Sequence, residues 1–185
     1  MCYSQSPVDT LQIDREANQI IFVANPNSKF HDNVFKLLLA DFGQPTICGK
    51  DTNMLDNSKS KYLGDWITVK KFRGKYYAYS PSEPFYNTFI RLTDSLLVMN
   101  DFNEGFVSFR YRNKIHTETR AVLQIVENNS ITNLLTIRKK SKGIFVVRSS
   151  LFNSKRLFFV RRETFCDYPI IVNNCPSNRC PEFRF

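Results

Sequence analysis

A mainly β fold of the α+β type is predicted here, an antiparallel up-and-down meander of about nine strands closed into a barrel, and three features of the sequence predict it. From Trp66 to Arg162, short apolar and aromatic runs alternate with segments of Asn, Asp, Gly, Ser and Pro, the residues that create or tolerate turn dihedrals. Those segments are too short to carry crossover helices, so successive strands should pair antiparallel. A row of nine open strands would also leave two edges with unpaired backbone groups, and closing the sheet on itself removes both. One N-terminal helix precedes the meander and a cysteine-rich tail follows it.

Taken in order, residues 1–10 read as a flexible N-terminal tether or a signal remnant, and 11–163 as a single domain. Within that domain, 11–60 form a strand–helix–loop segment. The run "NQIIFVANP" is a strand closed by Asn25 and Pro26. In "SKFHDNVFKLLLADFG" the residues Phe30, Val34, Leu37, Leu38 and Phe42 recur near a 3.6 period, with Ser28 or Asp32 as N-cap and Gly43 as stop, which predicts a helix. Asp51, Asn53 and Asp56 in the following loop lack the Gly and distal Glu of a calcium loop. The meander, 61–163, contains "DWITVKKF", "KYYAYS", "FYNTFIRL", "SLLVM", "FVSFRYRN", "RAVLQIV", "TNLLTIR", "IFVVRSS" and "KRLFFVRR". The two-residue side-chain period of a strand sets Val107, Phe109 and Tyr111 on one face and Ser108, Arg110, Arg112 and Lys114 on the other.

Residues 164–185 carry Pro169, Pro176 and Pro181, which rule out a long helix, and order there calls for a covalent or docking constraint. Three of the five cysteines, Cys166, Cys175 and Cys180, lie in this stretch, beside Cys2 and Cys48. Setting Cys2 apart leaves four, enough for two disulfides in an oxidising compartment. Cys48 with Cys166 and Cys175 with Cys180 is the favoured arrangement of three. The alternative is five reduced thiols in a cytosolic protein. Zinc is disfavoured because Cys175 and Cys180 stand five apart and His31 and His116 belong to unrelated segments. Cys2 reads in three ways: a lipid attachment point, the end of a cleaved signal sequence, or an ordinary thiol.

At Gly64-Asp65-Trp66, heading the first strand of the meander, the chain resembles the lipocalin and calycin proteins, in which a Gly-x-Trp opens an up-and-down barrel. The likeness covers roughly residues 62–163. In that family an Arg of the last strand packs over the Trp and closes one end, and "LFFVRR" offers Arg161 or Arg162 in that place. The sequence departs from the family at Thr93-Asp94, which comes early and is followed by Ser95 where the family has Tyr, and in its 60 leading residues. The resemblance implies carriage of small hydrophobic ligands, with Trp66, Phe109, Tyr111 and Arg161 as the contacting residues. The "MCYSQSP" start also resembles that of bacterial lipoproteins, whose mature chains begin with a lipidated Cys and a polar tether.

The net charge of +9 has one source: residues 104–163 hold 13 basic and 4 acidic side chains, whereas 1–103 hold 11 of each and 164–185 hold 2 of each. Arg110, Arg112, Lys114, Arg120, Arg138, Lys139, Lys140 and Lys142 are the candidate surface for an anionic partner. A solvated, edge-blunting face is the plain alternative. Nucleic acid is disfavoured, because Phe109 and Tyr111 point away from Arg110 and Arg112 and cannot share one stacking platform with them.

No apolar run is long enough to cross a bilayer as a helix, so membrane association would come only through an anchor at Cys2. No G-x-S-x-G, H-E-x-x-H, G-x-G-x-x-G or P-loop is present, Cys48 has no legible His partner, and no cofactor, metal or catalytic residue is expected. Asn128-Asn129-Ser130 is a glycosylation sequon, meaningful in a eukaryotic secretory protein. The expected function is that of an exported, non-enzymatic β-barrel module binding a small apolar or anionic ligand, periplasmic or anchored at the outer membrane if bacterial. The alternative is an envelope lipoprotein or accessory subunit whose basic flank docks on an acidic protein partner.

Overall fold

In the computed structural model, the described residues are 9–15, 18–26, 28–40, 62–81, 89–101, 105–141, 143–152, 155–175 and 181–185. They hold twelve strands and two α-helices: β1 (Asp9–Asp14), β2 (Gln19–Ala24), α1 (Lys29–Ala40), β3 (Gly64–Phe72), β4 (Lys75–Ser80), β5 (Phe89–Leu92), β6 (Leu96–Asp101), β7 (Gly105–His116), β8 (Arg120–Glu127), β9 (Ser130–Ser141), β10 (Ile144–Ser149), β11 (Arg156–Arg161), α2 (Arg162–Phe165) and β12 (Ile170–Asn174). The chain divides into two compact units, 51–68 with 88–162, and 1–50 with 69–87 and 163–185.

The first of these is a closed antiparallel barrel of eight strands, in the order β3-β5-β6-β7-β8-β9-β10-β11 and back to β3. Its closure lies at β3, where Gly64 to Ile67 pair with Leu92 to Phe89 while β11 lies on the other side. Hydrophobic burial holds it together, because alternate residues of each strand point inward. Trp66, Ile90, Leu92, Leu97, Leu123, Ile125, Leu135, Ile137, Val147 and Phe159 form one buried cluster. Each such side chain contributes about 1.5–3 kcal/mol relative to exposure. The β8–β9 hairpin turns on Asn128 and Asn129, at φ 48° and 63°, the two left-handed residues that a two-residue turn matched to strand twist requires.

All nine strands expected in the meander are present, but the barrel has eight. The missing member is β4, which leaves β5 to pair with β3 directly. "KYYAYS" buries Ala78 and Tyr79 elsewhere, in the sheet of the second unit. There β12 runs antiparallel to β2 and parallel to β4, with β1 at the far side of β2 and the Lys70–Phe72 end of β3 antiparallel to β4. The rule that successive strands pair antiparallel holds for β3 with β4 and is corrected between β4 and β5, because the other neighbour of β4 is β12, which comes about ninety residues later and runs parallel. The 164–185 segment is likewise more than a tethered tail: Ile170, Ile171 and Val172 are buried in the middle of this sheet. A strand at Asp9 also shortens the expected 1–10 tether, of which residues 1–8 lie outside the described residues.

The predicted helix is α1, and Ser28 is its N-cap: the Ser28 hydroxyl accepts from the His31 amide at 3.1 Å. His31, Val34 and Phe35 form its buried face, with Phe35 edge-on to Phe165 of α2 at 4.9 Å. His31 Nε2 bonds the Tyr168 carbonyl at 2.9 Å. Residues 181–185 are clasped by polar and aromatic groups. Gln19 Nε2 donates to Asn173 Oδ1 at 2.8 Å and to the Pro181 carbonyl at 2.7 Å, the Tyr79 hydroxyl donates to Glu182, and Phe183 packs on Phe72 at 5.1 Å. Cys166 and Cys175 are both disulfide-bonded. Cys2, Cys48 and Cys180 lie outside the described residues, and with them the expected Cys48–Cys166 and Cys175–Cys180 pairings.

Candidate functional site

The outward faces of β7 to β11 carry the barrel's positive charge, and strand register determines which cations meet. On β8, Ala121, Leu123 and Ile125 point inward and Arg120 outward; on β9, Leu135 and Ile137 point inward and Arg138 outward. Arg120 stands directly opposite Arg138, and Arg148 of β10 directly opposite Arg156 of β11. Arg138 also faces Val146, and Arg148 faces Thr136, so the four arginines occupy two adjoining rungs. Like charges directly opposite on one sheet face destabilise it. None of the four forms an ion pair among the described residues. Arg120 Nε is buried and has no hydrogen-bond partner there.

The other expected surface cations join this face in part. Arg110, Arg112, Lys139 and Lys140 are exposed, and Lys140 Nζ lies 5.0 Å from the centre of the Phe158 ring. Lys114 is exposed at an irregularity between Asn113 and Ile115, and Lys142 lies outside the described residues. Arg148 and Arg156 were not among the expected residues. Alternation places each on an outer face, but their opposition follows only from the β10–β11 register.

The four residues expected to contact a ligand are distributed differently. Trp66 is buried in the packed interior, edge-on to Phe145 at 4.5 Å, its indole N–H donating to the Tyr62 carbonyl at 3.0 Å. Arg161 lies over the Trp66 ring, 4.4 Å from its centre, and donates to the Leu63 carbonyl. Of the two arginines that could close the barrel over Trp66, Arg161 does so. Arg162 turns instead to Asp65, at 3.6 Å, and Asp65 is also gripped by Arg91 through contacts of 2.6 and 2.9 Å. Phe109 is half-buried against the core cluster.

Tyr111 lines a small cleft at the Tyr62 end of the barrel, with Tyr62, Leu63, Leu92, Asp94, Asn113, His116 and Leu123. The cleft encloses about 50 Å³, far below the several hundred that hold a drug-sized ligand. The Tyr62 hydroxyl donates to the Thr117 carbonyl at 3.1 Å and the Tyr111 hydroxyl to the Thr93 carbonyl. Burial, and after it the Asp94 carboxylate, holds the Tyr111 phenol above its ordinary value; burial and Glu118 do the same for Tyr62. Both therefore remain neutral at physiological pH. His116 meets the Tyr62 ring edge-on at 5.1 Å.

The sequence marks Thr93-Asp94 only as a displaced family turn, sets His116 in a segment unrelated to the cysteines, and gives no sign of Tyr62 or Asn113. The signal for their convergence is non-local, since they come from the entry to β3, the β5–β6 turn and β7. Among the described residues no group of three or more His, Cys, Asp or Glu side chains is placed to hold a metal, and no helix is long and apolar enough to cross a membrane. No protein-family model matches this chain, and no curated protein or solved structure is significantly similar to it.

Proposed function

We propose that this chain is an exported, non-enzymatic barrel module whose basic flank docks on an acidic protein partner. The observation that carries the reading is the double opposition of Arg120 with Arg138 and Arg148 with Arg156. Two rungs of like charge cost stability, and an ordinary solvated face could dilute them with glutamates at no loss of solubility. An acidic surface opposite them converts that repulsion into complementarity. The calycin-like character of the barrel, supported by Arg161 over Trp66, enters here as scaffold. A carrier of apolar ligands is less well supported, because side chains fill the barrel interior. Export is supported by the disulfide-bonded state of Cys166 and Cys175, and anchoring through a lipidated Cys2 belongs to the same reading.

The test is binding of the full chain to a fluorescent poly-glutamate probe across a salt series, beside vesicles with and without anionic lipid. Poly-glutamate binding that weakens steeply with salt and is lost on reversing Arg120, Arg138, Arg148 and Arg156 to Glu is the expected result. Equal binding of the reversed variant, or preference for the anionic vesicles, would sink the proposal.

A further inference from the structure

We propose that the barrel's basic flank recognises an amphipathic acidic segment of its protein partner, one with aliphatic side chains interleaved among Glu or Asp, and that Ile131 and Leu134 seat those aliphatic groups. The inference rests on the docking reading above and specifies what the partner carries besides charge. On a regular strand Ile131 and Leu134, three apart, would point to opposite faces. The irregularity in the β8–β9 pairing changes this. Ile131 stands opposite Val126 and Leu134 opposite Gln124, and those partners are two apart on β8, so all four share one face. It is the outer face, because Leu123 and Ile125, which alternate with Gln124 and Val126, lie in the barrel core. Ile131 is 56% and Leu134 45% exposed there.

Register carries the pattern across the neighbouring strands. One rung reads Leu96, Arg110, Val126, Ile131 from β6 to β9, and another reads Arg112, Gln124, Leu134 from β7 to β9. Arginines thus stand beside exposed aliphatics, with no carboxylate on either rung, and neither Arg110 nor Arg112 forms an ion pair among the described residues. Along β9, Leu134 and Arg138 are four residues apart on the same face, about 13 Å at the rise of a strand, so the aliphatic group is continuous with the opposed arginines. Aliphatic side chains scattered singly over a surface need no explanation, but a contiguous group rimmed by cations is suited to burial and charge pairing together. A second copy would bring the same arginines against these and be repelled. Nucleic-acid bases stack on rings, and these rungs offer none. Trp and Tyr, the side chains that mark a lipid interface, are absent from both rungs. An acidic segment with aliphatic residues answers both components: its carboxylates pair with the guanidinium groups while its apolar side chains remove Ile131 and Leu134 from water.

The experiment follows the fluorescence anisotropy of two labelled peptides of equal length and charge, one of Glu-Glu-Leu repeats and one of Glu-Glu-Ser repeats, titrated with the full chain over a salt series. The leucine peptide should bind about tenfold more tightly or better, a difference of about 1.4 kcal/mol. Added salt should weaken both in parallel and preserve their ratio, because only the charged component is screened. Ile131→Ser with Leu134→Ser should bring the two peptides to equal affinity; both residues are exposed, so the change falls outside the packed interior. A preference that survives these substitutions would overturn the proposal. Equal binding of the two peptides by the unmodified protein would overturn it too and leave acidic docking standing, whereas binding of neither would overturn both. Tighter binding to anionic vesicles than to the leucine peptide would assign the face to lipid and count against both. The two-peptide comparison uses the unmodified protein, so it decides the matter even if a substituted chain fails to fold.

Discussion

The guanidinium of Arg161 lies 4.4 Å from the centre of the Trp66 ring and donates to the Leu63 carbonyl, so one side chain at the end of β11 secures both the ring and the backbone that lead into β3. Gly64, between those two partners, has φ +111°, and a Cβ there would stand 2.5 Å from Arg161 Nη1. Glycine is needed twice over, for the dihedral and for the close approach of the guanidinium.

Arg161→Ala should therefore cost about 2 kcal/mol or more, from the lost cation–π contact and the unpaired carbonyl. Gly64→Ala should cost about 1–3 kcal/mol from backbone strain alone, and more in the presence of Arg161. In a double-mutant cycle by urea unfolding, the Gly64→Ala penalty should shrink when Arg161 is already Ala. Strict additivity would show that the two do not compete for the same space.

Arg138→Glu should stabilise the barrel by about 0.2–1 kcal/mol, because it replaces a like-charge pair opposite Arg120 with an opposite-charge one. The double variant Arg120→Glu with Arg138→Glu restores like charges and should lose the gain. Thermal unfolding midpoints in low salt read both. A single variant less stable than the parent would mean that the arginines are not repelling each other.

Tyr79 is buried, and its phenol is pushed far above the ordinary tyrosine value, chiefly by burial and then by its hydrogen bond to Glu182. The folded state thus favours the protonated phenol. The stability this confers is complete below the unfolded value of about 10 and is lost as pH rises above it. Tyr62, Tyr111 and Tyr168 are raised in the same sense. Urea midpoints should fall steadily above about pH 10. Tyr79→Phe should be less stable at pH 7, having lost the bonds to Glu182 and to the Phe183 amide, and should decline less steeply with alkali.

Peptide mapping without reduction should recover Cys166 joined to Cys48 and Cys175 joined to Cys180. Reduction should lower the thermal midpoint, with a loss of about 2–5 kcal/mol if both bridges open. Recovery of Cys166 and Cys175 as free thiols from protein matured in an oxidising compartment would remove the main support for export.

Most of the barrel was legible because its information is local. A run such as "RAVLQIV" followed by "ENNS" announces a strand and its turn within a dozen residues, and Gly64-Asp65-Trp66 marks where the first strand begins. The departure of β4 was not legible, since "KYYAYS" would serve equally in either sheet and the choice rests on β12, in the proline-rich stretch that offered least sign of a strand. β1 escaped notice because "DTLQID" has only Leu11 and Ile13 to show alternation. The basic flank was visible as a count of charges, yet the opposition of particular arginines depends on register, which an irregularity between Ile125 and Val126 shifts. The cleft was the least accessible, because its polar residues are single members of strands and turns with nothing in their own neighbourhood to single them out.

The path of β3 bears on how the gene can be cut. The chain passes between the two units at 50/51, 68/69, 87/88 and 162/163, so neither is a contiguous stretch, and the strand that closes the barrel is encoded apart from the other seven. A fragment spanning β5 to β11 would be a barrel with one stave removed, exposing the edges of β5 and β11 as templates for another copy. Such a fragment should self-associate when expressed alone and become monomeric when a peptide covering residues 62–72 is supplied in trans. Deletion mapping of any binding activity on this chain will mislead unless that peptide travels with the rest.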